Sequence, residues 1–179
     1  KIKDLSDIAS KTDFVVFRSA VSEGGKVKGI CAPGCAVYSR RQIDDLNQFV
    51  KILGAGGLVT ISLGNPGASL DDLTMESIKS SASKFLTIEQ VKEMAKRLEA
   101  KPGDLLLIVA GKQKVVTNVL GELRKEMGKR LNLADPNLMA FAFVRHFPLF
   151  EWNDEEHRWQ SAHHPFTAPR DEDIPLLDT

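Results

Sequence analysis

The sequence lacks several features that assign a protein to a class at once. No apolar run approaches the ~18 residues that a membrane-spanning helix needs, so we expect no membrane partner. Only two cysteines occur, Cys31 and Cys35, which is too few for a disulfide framework and indicates a reducing, cytoplasmic setting. Basic and acidic residues balance at 24 each, which excludes a basic footprint for nucleic acid over the whole chain.

Nucleotide-binding and targeting motifs are also missing. Neither Gly-x-Gly-x-x-Gly nor Gly-x-x-x-x-Gly-Lys-Ser/Thr occurs, so the sequence does not predict a nucleotide-binding site of either kind. The chain starts at Lys1 rather than at methionine, and no signal peptide follows. We therefore expect these 179 residues to be a piece of a longer protein.

The charge is unevenly distributed along the chain, which indicates two differently built parts. Residues 151–179 hold eight acidic and two basic side chains, so they carry −6, and residues 1–150 must carry +6. The hydrophobic share of 42% is that of a globular chain, and the length fits one domain plus part of another.

Hydrophobic periodicity predicts an α+β sandwich with the helices on one face of the sheet. Residues 1–12 are polar and are expected to form a linker or a frayed entry to the domain. The expected strands are 14–17 and 26–30 as a hairpin, 57–63, a short one ending at Leu86, 105–110 at the centre, and an aromatic one over 138–150. The expected helices run from the Ser39 cap to Gly54, over 88–99 behind the Thr87–Gln90 capping box, and over 113–130.

All four histidines lie at or after His146, and two of them, His163 and His164, are adjacent and precede Pro165. Proline favours an extended backbone before it, where neighbouring side chains point to opposite faces, so only one histidine can readily enter a given pocket. Such a histidine could bind a carboxylate. The alternatives are solvated or packed loop histidines, or a zinc site, which needs about four ligands.

Two other groups of residues could carry chemistry. The third helix has a basic face that could contact RNA phosphates, although a solvated helix face has the same appearance. Its cations are Lys112, Lys114, Arg124, Lys125, Lys129 and Arg130. Cys31 and Cys35 flank Pro33-Gly34 without the Cys-x-x-Cys spacing, which favours small turn-region thiols over a redox pair.

Specific motifs make the chain resemble bacterial-type aspartyl-tRNA synthetase over essentially all 179 residues. The stretch from Phe147-Pro148-Leu149-Phe150-Glu151-Trp152 to His163-His164-Pro165-Phe166-Thr167-Ala168-Pro169 is similar to the family's DFPLFEW…HHPFTAP signature. Upstream, the segments that look like the GAD domain inserted in that enzyme are 25–30, 33–36, Ser39-Arg40, 84–86, Lys101-Pro102-Gly103-Asp104 and 121–124.

This resemblance implies a class II aminoacyl-tRNA ligase that activates aspartate with ATP and magnesium and transfers it to tRNA as a homodimer. Residues 1–12 would lead out of the catalytic domain and 13–131 would be the GAD insertion domain, a two-layer, DCoH-like α/β sandwich with a mixed or antiparallel sheet. Residues 132–179 would be a partial return into the class II catalytic domain. None of the three class II motifs is present, so no catalytic residue is expected and the fragment alone should be inactive.

The resemblance also implies roles for two of the histidines. His163 matches the family's aspartate-binding histidine, and His164 would support the same substrate loop. Two positions depart from the family pattern: His146 stands where an aspartate usually precedes Phe-Pro-Leu-Phe-Glu, and Cys35 where glycine is common.

The alternative function is a non-catalytic module that binds tRNA or positions domains. The resemblance places a GAD domain in the archaeal glutamyl-tRNA amidotransferase as well, so the insert by itself does not separate the two proteins. The His163-His164 segment favours the synthetase, because it resembles part of that enzyme's catalytic domain.

Overall fold

A computed structural model describes residues 1–139, 141–142, 148–153, 155–162 and 169–176. The chain divides into two compact units, Lys1–Asp135 and Pro136–Thr179.

The first unit is built on a five-stranded sheet with the order β1-β2-β5-β3-β4, in which all neighbouring strands are antiparallel. The strands are β1 (Lys3–Asp4), β2 (Lys26–Ala32), β3 (Val59–Leu63), β4 (Ile78–Lys79) and β5 (Leu105–Gly111). The helices are α1 (Ser6–Ala9), α2 (Val15–Ser22), α3 (Arg40–Ile52), α4 (Ile88–Arg97) and α5 (Gln113–Arg130), with short 3-10 turns at Cys35–Val37, Met75–Ser77 and Ser83–Phe85. An α+β fold with an antiparallel sheet is thereby confirmed.

Helices cover both faces of this sheet, so the expectation of two layers with helices on one face is wrong. The central strand β5 explains the difference, because its first five side chains are all apolar and buried, and alternate residues point to opposite faces. Leu106 and Ile108 join one buried cluster, and Leu105, Leu107 and Val109 join another.

Each cluster is completed by its own helices. On the first face, α1, α2 and α4 contribute Ile8, Phe17 and Met94. On the second face, α3 and α5 contribute Leu46 and Leu120. A strand that is apolar on both faces thus requires two helical layers, not one.

The predicted helix boundaries agree well with α3, α4 and α5. Ser39 forms a capping box at the start of α3, in which its Oγ accepts from the Gln42 amide at 3.4 Å and the Gln42 side chain accepts from the Ser39 amide at 2.9 Å. Thr87 and Gln90 repeat this arrangement before α4. Gly54, with φ 94°, follows the end of α3 in the left-handed conformation that glycine tolerates.

Three local predictions are wrong. Residues 14–17 do not form a strand, because Val15–Ser22 is the helix α2, so the predicted hairpin with 26–30 is absent. The strand expected to end at Leu86 is a 3-10 turn over Ser83–Phe85. Strand β2 is present, but its partners are β1 and β5.

Residues 1–12 differ from the polar linker that their composition indicates. β1 pairs with β2 at the edge of the sheet, and Leu5, Ile8 and Ala9 are buried in the first cluster. Thr12 is buried as well, and its hydroxyl donates to the Ala9 carbonyl at 2.8 Å. This segment is therefore part of the packed first unit.

The second unit contains one hairpin among its described residues, β6 (Phe150–Asn153) paired with β7 (Arg158–Ser161), and a 3-10 turn at Ile174–Leu176. An aromatic strand was predicted over 138–150, of which 140 and 143–147 lie outside the described residues. Among the described ones, Phe150 is in a strand and 138, 139, 141, 142, 148 and 149 are not.

Candidate functional site

The two residues predicted to bind aspartate, His163 and His164, lie outside the described residues, as does His146. Their placement therefore stays a prediction. The structure does describe the segment that leads to them, because Ala162 precedes His163 in the sequence and its amide donates to the Leu149 carbonyl at 3.0 Å. This bond lies just beyond the open end of the β6–β7 hairpin.

The hairpin has two chemically different faces. Phe150, Trp152 and Trp159 share one face, on which the two tryptophans are directly opposite each other with ring centroids 5.7 Å apart in an edge-to-face arrangement. All three side chains are exposed, Trp159 by 65%.

On the other face, polar groups bond to one another. Gln160 Nε2 donates to Glu151 Oε1 at 3.2 Å, and Asn153 Nδ2 donates to Gln160 Oε1 at 3.0 Å. At the turn, Asn153 Oδ1 accepts from the amides of Glu155 and Glu156 at 2.9 and 3.0 Å. This network links the two strands to each other and to the turn on this face.

A separate cavity of about 540 Å³ lies in the first unit between α3 and the β3–β4 edge. It forms because Val59, Ile61 and Leu63 of β3 pack toward the first cluster, which turns Thr60 and Ser62 toward the other face. The polar and charged lining residues are Tyr38, Arg40, Asp44, Asn47, Thr60, Ser62, Lys79, Ser80 and Ser81.

Several lining groups of this cavity are already engaged. Ser62 Oγ donates to the Ala36 carbonyl at 2.9 Å, and Asn47 Oδ1 accepts from the Leu58 amide at 3.0 Å. Arg40, Asp44 and Lys79 are exposed at the rim. This cavity was not predicted from the sequence, although polar Thr60 and Ser62 between apolar neighbours were a signal for it. The mixed charges select no single class of ligand.

Asp104 joins two turns that are far apart in the sequence. Its Oδ1 accepts from the Gly34 amide at 2.8 Å, and its Oδ2 accepts from the Lys101 amide at 2.8 Å. The Cys31 thiol also donates to Oδ2, at 3.3 Å. Burial, followed by the nearby Asp104 carboxylate, raises the pKa of the Cys31 thiol to about 12.

Cys35 is also a free thiol, and burial raises its pKa. Since a reactive cysteine needs thiolate character, both thiols have the properties of structural residues. This agrees with the interpretation of small turn-region thiols in the sequence analysis.

The basic face of α5 is partly neutralised by acids on the same helix. Lys125 Nζ lies 2.6 Å from Glu122 Oε1, and Arg130 Nε lies 2.7 Å from Glu126 Oε1. Exposed pairs at this spacing are typical of a solvated helix face and contribute only a few tenths of a kcal/mol. Four further cations remain on the helix or at its start: Lys112, Lys114, Arg124 and Lys129.

Within the part of the chain that the structure describes, no three His, Cys, Asp or Glu residues come together in a group that could hold a metal ion. In the same residues, no helix combines the length and the apolar character that crossing a membrane requires.

Comparison with known proteins supports the resemblance found in the sequence. The family model described as the GAD domain matches residues 17–120. All 179 residues match proteins named aspartate–tRNA(Asp/Asn) ligase, at 50% identity in Dehalococcoides mccartyi (strain CBDB1) over 30% of that protein's length. The corresponding ligase of Moorella thermoacetica is 45% identical over the whole chain and 28% of its own length.

A third ligase of the same name, from Symbiobacterium thermophilum, is 48% identical over 97% of the chain and 28% of its own length. The chain thus spans less than a third of the length of these relatives. The matched region includes the residues that follow the GAD match.

Proposed function

This chain belongs to the GAD domain family, and from this premise we propose that it is an internal piece of a bacterial aspartate–tRNA ligase. The observation that carries the proposal is the match of all 179 residues to proteins of that name. A match limited to the insert would fit several GAD-containing proteins. Here it extends through residues 121–179, which hold the Phe-Pro-Leu-Phe-Glu-Trp and His-His-Pro segments.

The full-length protein would be a class II, cytoplasmic enzyme. It would activate aspartate with ATP and Mg²⁺ and then transfer the aspartyl group to tRNA, and we expect it to work as a homodimer. The printed names of the relatives support both tRNA-Asp and tRNA-Asn as acceptors. Aminoacylation of the two purified tRNAs by the full-length protein tests this, and charging of tRNA-Asp alone would contradict it.

In that enzyme, residues 1–12 would lead in from the catalytic domain, 13–131 would form the GAD insertion domain, and 132–179 would return into the catalytic domain. The proposal concerns the path of the chain. It is compatible with the packing of Leu5 and Ile8 into the insert, because a connecting segment can also contribute to a core.

His163 would contact the side-chain carboxylate of aspartate, and His164 would support the same loop. A protonated histidine donates a charge-assisted hydrogen bond to a carboxylate, and such bonds are roughly twice as strong as neutral ones. This bond would favour aspartate over the neutral asparagine. ATP and Mg²⁺ would be held by residues outside this chain.

Aspartate-dependent exchange between ATP and pyrophosphate tests the assignment. We expect robust exchange by the full-length protein and none above background by these 179 residues, since the class II motifs are absent from them. Exchange by the isolated chain would refute the second expectation. Full-length protein that exchanges with another amino acid but not with aspartate would refute the first.

The second candidate is a GAD-type module that binds tRNA or positions domains without catalysis, as in a glutamyl-tRNA amidotransferase. The remaining cations of α5 support it, but the whole-chain match to the ligases favours the enzyme. Binding of tRNA by the isolated chain, weakening with salt as phosphate contacts do, would support the module. No binding at low salt would count against it.

A further inference from the structure

Strand β3 has an unpaired edge beside the cavity that lies between α3 and the β3–β4 edge. Within the part of the chain that the structure describes, β4 pairs only with Ser62 and Leu63, and the chain leaves the sheet at Ser80. The preceding residues of β3 are paired with β5 on one side and with no strand on the other. An unpaired strand edge is a template to which another extended chain can add.

Thr60 carries the available main-chain groups of this edge. Successive residues of an antiparallel strand direct their N–H and C=O groups to opposite neighbours. The Leu63 amide donates to the Asp104 carbonyl at 3.0 Å, on the β5 side, so the main chains of Ser62 and Thr60 are directed to the other side. There Ser62 is paired with Lys79, whereas no described residue bonds to the main chain of Thr60. The Thr60 amide and carbonyl are therefore available to a ligand.

The groove between α3 and this edge of β3, here called the β3 slot, has a closed end and an open end. At the closed end β4 occupies the edge, where Ser62 is paired with Lys79 and the Ser62 Oγ donates to the Ala36 carbonyl at 2.9 Å, shortly before α3. At the open end, Asn47 Oδ1 of α3 accepts from the Leu58 amide at 3.0 Å. A strand that enters from the open end must therefore stop at β4.

The charged groups of the β3 slot follow a definite order. Lys79 belongs to β4, and Arg40 begins α3, so both cations line the closed end, where the start of the helix also favours a negative group. Among the described residues, neither cation has an acidic partner. Asp44 follows one turn along α3, where it can accept from an amide or a hydroxyl. The signs of these charges alone select no ligand, but their order fits a chain that ends in a carboxylate.

We propose that the β3 slot binds the C-terminal segment of a separate polypeptide as an added strand. The main chain of that segment pairs with Thr60, and its terminal carboxylate lies between Arg40 and Lys79. Main-chain pairing gives affinity in complexes of this kind, and the charged end of the chain fixes the register. The occupant is a chain end, because a strand that continued would collide with β4. The site lies in the first unit and does not depend on the proposed ligase activity.

Two other occupants fit the β3 slot less well. A second copy of this chain could approach edge to edge, but β4 of each copy would block a continuous ladder beyond Thr60. A single free amino acid would satisfy Arg40 and Lys79 and leave most of the cavity of about 540 Å³ empty. Cavities of about 300–1,000 Å³ hold ligands of drug size, which is the size of a short peptide.

Nuclear magnetic resonance of the isotope-labelled 179-residue chain tests the site. The probe is an acetylated peptide of about five alternating threonine and valine residues with a free C-terminal carboxylate. We expect saturable changes in the amide signals of 40–47, 58–62 and 79–81, and binding about 10-fold weaker for the same peptide with a C-terminal amide. No saturable change at about 1 mM probe, or equal affinity of acid and amide, would overturn the proposal.

Matched variants separate the β3 slot from the surface around it. Arg40→Gln should lower the preference for the carboxylate over the amide at least about threefold. Arg41→Gln, at the exposed neighbour outside the lining, should leave this preference unchanged. Lys79→Gln and the exposed Lys84→Gln form a second pair with the same expectation. Equal effects within each pair would contradict a carboxylate held at the closed end.

Changes in the probe test the added strand itself. A probe methylated on its main-chain nitrogens keeps its carboxylate but cannot donate to a strand edge, so it should bind at least about 10-fold more weakly. Equal binding would show a charge contact without strand pairing, and equal binding of acetylated valine alone would show a site for small carboxylates. The same spectral changes at rising chain concentration without probe would show a second copy. Each of these three results would overturn the proposal.

Discussion

At the scale of single residues, the proposed substrate contact gives the most direct prediction. In the full-length protein, if it is the proposed ligase, His163→Ala should lower kcat/KM for aspartate by about 10- to 100-fold, because a hydrogen bond to a charged group contributes about 1.5–3 kcal/mol. The measurement is aspartate-dependent exchange of ATP with pyrophosphate across a range of aspartate concentrations.

The matched control is His157→Asn. His157 is exposed in the hairpin turn with φ 47°, a conformation that asparagine adopts readily. We expect its kcat/KM to stay within twofold of the wild type. An unchanged kcat/KM in His163→Ala would remove that residue from the aspartate pocket.

Cys31 gives a prediction that depends on pH. Since its pKa is raised to about 12 from 9.0, its thiolate fraction at pH 8 is about a thousandfold lower than that of an ordinary cysteine. Iodoacetamide should therefore alkylate Cys31 far more slowly in the folded chain than in urea, as followed by mass spectrometry. Asp104→Asn should accelerate the reaction, because it removes the neighbouring negative charge.

The same pKa shift predicts how stability depends on pH. A pKa raised by folding gives a contribution that is fully present below about pH 9 and is lost as the pH rises toward 12. The free energy of unfolding of the wild type should therefore fall more steeply over this range than that of Cys31→Ser. Identical slopes would show that the thiol has no raised pKa.

At the scale of elements, the long segments were predictable and the short ones were not. The 18-residue helix α5 and the buried strand β5 have patterns that repeat over enough residues to exclude other structures. The run at 14–17 is apolar and β-branched, which indicates a strand by local propensity. Its continuation carries a helical spacing, since Phe14, Phe17 and Val21 all pack on the first cluster.

The number of helical layers and the candidate site could each be predicted only in part from the sequence, for different reasons. The run at 105–110 predicted a central strand, but helices were expected on one face only, and the packing of the helices against β5 shows that both faces are covered. The cavity beside α3 is lined by residues between Ala36 and Leu105, and no local sequence pattern predicts that Arg40 and Lys79 line the same cavity. The predicted pair His163 and His164 stays a prediction, because it falls outside the described residues.

The short helix α1 is the element whose role differs most from the sequence expectation. Ile8 is 1% exposed within the first cluster, so Ile8→Ala should lower the free energy of unfolding by about 2–4 kcal/mol through lost burial and a cavity. Urea denaturation of the 179-residue chain measures this. The exposed neighbour Ser10 provides the control, and Ser10→Ala should change stability by less than about 0.5 kcal/mol.

If residues 1–12 instead behave as a linker, Ile8→Ala and Ser10→Ala will have equally small effects. That result would place α1 outside the cooperative fold and would contradict the packing seen in the structure.

At the scale of the whole molecule, the charge asymmetry of the sequence matches the division into units. The first unit, residues 1–135, holds 21 basic and 16 acidic side chains, and residues 136–179 hold three and eight. The two units therefore carry opposite net charges of about five each. The two units also differ in packing. All described buried residues of the hydrophobic core fall between Leu5 and Met127, which is within the first unit.

This distribution of the core predicts where the stability of the chain resides. A chain cut after Asp135 should keep a free energy of unfolding within about 1 kcal/mol of the 179-residue chain, because it retains both buried clusters. A chain limited to 13–131 should lose about 3–6 kcal/mol or fail to fold, since it lacks the buried Leu5 and Ile8, each worth about 1.5–3 kcal/mol. Urea denaturation of the three chains, followed by circular dichroism, distinguishes them. Equal stability of 1–135 and 13–131 would show that the first unit folds without residues 1–12. The predicted loss would show that these residues are part of its fold.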